Sequence, residues 1–89
     1  MFSKPSTERD CLIQIDVALS AYVGNPNSTN AQNKLAERIQ VYMAFVREKG
    51  QDVRNGDLGI NSSRFTKVFG ITSLDSPALR YNKITTLRI

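Results

Sequence analysis

A small all-α domain, a bundle of three to four helices, is the fold class the sequence predicts, and two apolar stripes carry that expectation. Over residues 29–49, Ala31, Leu35, Ile39, Tyr42, Met43 and Val46 recur at the 3.6-residue period, with Phe45 at the margin. Over residues 7–23, Cys11, Leu12, Ile15, Ala18, Leu19, Tyr22 and Val23 gather on one broad side of a helix. Gly24-Asn25-Pro26-Asn27-Ser28 between them is turn chemistry. Residues 7–49 should therefore form a helical hairpin. With 89 residues, one domain spanning 1–89 is expected.

The first helix has its start signals in place. Ser6 or Thr7 can cap it, Asp10 stands three residues after Thr7, and Glu8 suits the first turn. A strand competes, because Ile13, Ile15, Val17, Leu19, Ala21 and Val23 also alternate with period two. If the helix holds, Ile13 and Val17 fall off the stripe. They would then meet a second copy of the chain or another protein, or the core wraps around both sides.

Gly50 supplies a residue able to take the left-handed conformation that ends the second helix. Beyond it the periodicity shortens. Asp52 or Gln51 can open a brief helix, while Asn55-Gly56 favours a hairpin or open loop. Ser62 or Ser63 can cap a two-turn helix through Phe69, with Phe65, Val68 and Phe69 inward, Arg64 and Lys67 facing elsewhere, and Gly70 closing it. Ser76-Pro77 reads as an N-cap and first helical position. Residues 83–89 are rich in β-branched types, so a short C-terminal strand competes with helix there.

Composition excludes several classes of chemistry. Without histidine there is no imidazole base, no imidazole metal ligand and no Ser-His or Cys-His nucleophile. The eight carboxylates are scattered, each near Arg or Lys, as on a solvated surface, so no enzyme activity and no cofactor is expected. Asp52-Val53-Arg54-Asn55-Gly56-Asp57 fails as a calcium loop because arginine takes the third position and no glutamate closes it. The single cysteine, Cys11, suits a reducing compartment and a small buried apolar role. The N-terminal residues lack a signal peptide's apolar core, and no run approaches the length of a membrane span, so a cytoplasmic protein with no membrane contact is expected.

Charge is unevenly distributed. Residues 1–46 are balanced, whereas 47–89 carry eight cations against four anions, so the whole net charge of +4 lies in the second half. A polyanionic partner fits such asymmetry.

The stretch Leu58-Gly59-Ile60-Asn61-Ser62-Ser63-Arg64-Phe65-Thr66-Lys67-Val68 concentrates these cues. Residues 55–69 resemble the turn and second helix of helix-turn-helix DNA-binding proteins: Gly59 at the turn, Leu58 and Ile60 beside it, then a Ser-Arg opening to a helix. The resemblance implies Asn61, Ser62, Ser63, Arg64, Thr66 and Lys67 as DNA contacts; because one short recognition helix gives limited affinity, a dimer regulating transcription or replication is expected. Asn55, four residues before Gly59, departs from the alanine common there. Tyr42–Gly50 with Asn61–Phe65 is similar in style to small helical phage proteins that bind RNA-polymerase sigma factors. That similarity implies the alternative function, a helical protein-binding adaptor or inhibitor with no nucleic-acid contact.

Overall fold

A computed structural model describes residues 4–51, 63–72 and 74–87. They form four helices and no strand: α1 (Glu8–Gly24), α2 (Thr29–Lys49), α3 (Ser63–Phe69) and α4 (Pro77–Thr85).

α1 starts where its caps dictate. Thr7 Oγ1 accepts from the Asp10 amide at 3.1 Å, while Asp10 Oδ2 reaches back to the amide and hydroxyl of Ser6. The reciprocal half of the cap thus falls on Ser6 instead of Thr7. Of the six residues in period-two alternation, Ile15 and Leu19 are buried, while Ile13, Val17, Ala21 and Val23 are exposed. The helical period wins over the strand period. Val23, expected on the core stripe, lies exposed in the last turn before the connection to α2.

Ser28 caps α2 by accepting from the Ala31 amide at 3.2 Å, and Gly50 ends it at φ 82°, a conformation that costs an L side chain energy. α1 and α2 pack along their lengths through Ile15, Leu19, Leu35, Ile39 and Tyr42, forming the hairpin that the two stripes predicted. Burying each large aliphatic side chain contributes about 1.5–3 kcal/mol.

α3 lays Phe65 and Phe69 on this layer, their ring centroids 5.4 Å apart, and packs against α1. Gly70 at φ 74° closes it. α4 begins as Ser76-Pro77 predicted: Ser76 Oγ accepts from the Leu79 amide and Pro77 occupies the first turn, where its missing N–H costs nothing. It packs against α2, with Tyr81 stacked in a tilted arrangement 5.5 Å from Tyr42.

The strand reading of residues 83–89 is corrected at 83–85, which continue α4; residues 88–89 lie outside the described residues. Ile84 is fully buried in the core. The Thr85 and Thr86 hydroxyls donate to the carbonyls of Tyr81 and Asn82, each one turn back, at 2.9 and 2.7 Å. β-Branched residues are accommodated in a helix when their hydroxyls find that backbone partner and their neighbour finds the core.

One expectation about charge also changes. Glu8, read as a surface carboxylate of the first turn, is 4% exposed. Arg80 Nη2 donates to its two oxygens at 2.9 and 3.0 Å, Tyr42 Oη donates to Oε2 at 2.7 Å, and Gln51 Nε2 lies 3.2 Å from Oε2 and 2.6 Å from the Pro77 carbonyl. The buried carboxylate ties α1, α2 and α4 together with the segment that leaves α2. Burial, reinforced by the Glu8 carboxylate, pushes the Tyr42 phenol well above its ordinary value.

Candidate protein-docking groove

Two sets of residues bear on function: those of α3 and those of the α1–α2 seam. In the first, Asn61 and Ser62 lie outside the described residues, as do Leu58, Gly59 and Ile60 of the candidate turn and the stretch 52–57 before it. Ser63, Thr66 and Lys67 are exposed together on α3, opposite Phe65 and Phe69. Thr66 Oγ1 donates to the Ile71 carbonyl at 2.9 Å. Arg64 does not stand clear of the fold as expected: its Nη2 sits 3.3 Å from Asp16 Oδ2 of α1, and both side chains are partly buried.

That pairing belongs to a wider rearrangement of the basic half. Arg80 is committed to Glu8, and Lys83 Nζ donates to Asp75 Oδ2 at 2.9 Å and to the Gly70 carbonyl at 2.8 Å. Three of the eight cations in residues 47–89 are therefore engaged by carboxylates inside the fold, and Arg54 and Arg88 lie outside the described residues. Arg47, Lys49 and Lys67 are exposed. Two of the engaging carboxylates, Glu8 and Asp16, come from the first half of the chain, so the charge asymmetry read along the sequence is smaller in the fold, while the net charge stays +4.

The second set lies along the α1–α2 seam. A groove of about 280 Å³ is lined by Ile13, Gln14, Val17, Ala18 and Ala21 of α1 and by Lys34 and Arg38 of α2. Ile13 is 40% and Val17 68% exposed, so large apolar side chains stand at its edge in water. Ile13, Val17 and Ala21 are each four residues apart and follow one side of α1 for a little over two turns. Lys34 and Arg38, also four apart, form a matching row on α2. Arg38 Nη1 donates to Glu37 Oε1 at 2.9 Å. An apolar row and a cationic row thus run side by side, with the buried Ala18 between them providing depth.

The apolar row is visible in the sequence as residues off the α1 stripe; the cationic row is not. The signal available was the spacing of Lys34 and Arg38 beside the α2 stripe, which acquires meaning only once α1 and α2 are antiparallel neighbours. A second groove of about 300 Å³ lies between Lys4-Pro5 and Val41, Ala44 and Phe45, rimmed by charges of both signs at Lys4, Lys49 and Glu48.

Cys11 is buried, and burial followed by the nearby Glu8 and Asp10 charges pushes its thiol up to about 11, far from a reactive thiolate. Among the described residues, no cluster of His, Cys, Asp and Glu could hold a metal ion, and no helix is long and apolar enough to cross a membrane. No protein-family model, curated protein or solved structure matches the chain.

Proposed function

We propose that this chain is a helical protein-binding module, an adaptor or inhibitor, that docks a helix of another protein into the α1–α2 groove. The observation that carries the reading is the exposure of Val17 at 68% and Ile13 at 40%, both beside a groove of about 280 Å³. Placing two branched aliphatic side chains in water side by side is unfavourable, and covering them contributes about 25 cal/mol for each Å² of apolar surface removed. Helix-in-groove recognition uses this arrangement, reading anchors spaced one turn apart.

The test is a photo-crosslinking side chain at position 17, followed by purification of the protein it captures and calorimetric titration with the unlabelled chain. Binding should be lost with Val17→Asp and retained with Lys67→Ala. A partner that binds Val17→Asp as tightly as the parent overturns the reading.

A second reading keeps one specific observation, the joint exposure of Ser63, Thr66 and Lys67 on α3. It assigns duplex DNA as the partner, with affinity falling steeply between roughly 50 and 200 mM salt. Fluorescence anisotropy with generic duplex DNA separates the two readings.

A further inference from the structure

We infer that the occupant of the α1–α2 groove is an acidic amphipathic helix, its apolar side on Ile13, Val17 and Ala21 and its carboxylates over Lys34 and Arg38. This rests on the protein-docking reading above and assigns the partner's chemistry and orientation.

The geometry constrains the occupant in three ways. Ile13 to Ala21 spans eight residues, about 12 Å of helix axis, so a partner must offer apolar side chains at one-turn spacing over about that length. A helix does so with residues four apart, whereas an extended strand presents side chains every second residue at a different pitch. The partner's apolar side chains have somewhere to go because two of the α1 residues that line the groove, Ala18 and Ala21, are small.

Charge sets the rest. Among the described residues that line the groove, both ionisable side chains are cations and none is a carboxylate. Arg38 is held to its wall by Glu37 at 2.9 Å, while Lys34, one turn away, is exposed. A helix with basic flanks would bring like charges together in a partly desolvated seam, whereas glutamates on the side facing α2 would meet Lys34 and Arg38. Nucleic acid fits the cations but not the apolar row, which offers nothing to phosphate or to base edges.

A second copy of this chain is a poorer occupant. The exposed side of α1 that would enter its partner's groove carries Ile13, Val17, Ser20 and Ala21 and no carboxylate over those turns, since Asp16 is turned to Arg64.

The experiment uses the whole chain and two synthetic helical peptides of about 18 residues, identical in a leucine row at positions four apart and differing only in flanking Glu or Lys. The Glu-flanked peptide should bind at least about tenfold more tightly than the Lys-flanked one, with a preference that shrinks as salt rises. Lys34→Glu with Arg38→Glu should reverse the preference. Circular dichroism checks that this variant is folded, and Lys34→Glu alone, at an exposed position, should at least halve the logarithm of the preference.

Equal binding of both peptides, or preference for the Lys-flanked one, overturns the acidic-helix assignment while leaving docking at Val17 intact. Failure of both peptides, when the crosslinked partner still binds in a Val17-dependent way, overturns the helical occupant. A dimer by light scattering that Val17→Asp dissolves shows that the groove takes a second copy, which also overturns the assignment.

Discussion

Arg80 of α4 closes on Glu8 of α1 across 72 residues of sequence, its Nη2 2.9 and 3.0 Å from the two carboxylate oxygens, with both side chains almost wholly buried. Two charges withdrawn from water survive there because each is compensated by the other. Tyr42 and Gln51 add hydrogen bonds to the same carboxylate.

Removing one partner strands the other. Arg80→Ala should destabilise the fold by ~3 to 5 kcal/mol, and Glu8→Leu combined with Arg80→Met should recover most of that loss, because no buried charge remains. Urea denaturation of the three chains checks this. An Arg80→Ala midpoint close to the parent's would mean the pair is hydrated in solution.

Tyr42→Phe removes one hydrogen bond to a charged group while keeping the ring against Tyr81. The expected cost is ~1.5 to 3 kcal/mol. Ile39→Ala, on the buried seam of the hairpin, should cost ~2 to 5 kcal/mol by leaving a cavity. Loss of less than about 1 kcal/mol for Ile39→Ala would contradict the packing of α1 on α2.

Acid should weaken the α3–α4 connection. The Asp75 carboxyl is held below its ordinary 3.8, chiefly by the hydrogen bond from Lys83 and also by those from Thr72. A carboxylate whose folded pKa lies below the unfolded value contributes stability that is complete above the unfolded value and is lost as pH falls through the folded one. Stability should therefore drop below about pH 4, and Asp75→Asn should remove part of that slope. An unchanged slope in thermal unfolding at successive pH values would contradict the Lys83 pairing.

Arg64 and Lys67 test α3 as a nucleic-acid surface. Replacing both by alanine should cost only ~0.2 to 1 kcal/mol, since the Arg64–Asp16 pair is partly solvated. Binding at the groove should not change. On the DNA reading, the same variant weakens duplex binding and lowers its salt slope by roughly two phosphate equivalents.

Local signals made most of the fold legible. The Gly24–Ser28 turn, Gly50 and Ser76-Pro77 placed helix ends to within a residue or two because turn and cap signals act over about one turn. The stripes placed Ile15, Leu19, Leu35, Ile39 and Tyr42 in the core because the 3.6-residue period brings them to one side of each helix. Glu8 and Arg80 were not legible: nothing in a first-turn glutamate or a late arginine reveals a partner 72 residues away. Arg64 misled similarly, since helical phase sets which side of α3 it occupies but not that Asp16 of α1 stands beside that side. Ile13 and Val17 were legible as residues off the stripe, whereas Lys34 and Arg38 join them only through the crossing of two helices. The β-branched run Ile84-Thr85-Thr86 pointed to a strand because propensity ignores the helical carbonyls that accept from the threonine hydroxyls.

The claim that the α1–α2 seam, and not α3, is the working surface is tested most directly by amide chemical-shift mapping of the isotope-labelled chain titrated with the Glu-flanked helical peptide. Saturable shifts centred on Ile13, Val17, Ala21, Lys34 and Arg38, abolished by Val17→Asp, are expected. Shifts confined to residues 63–69, with none at the seam, would contradict it.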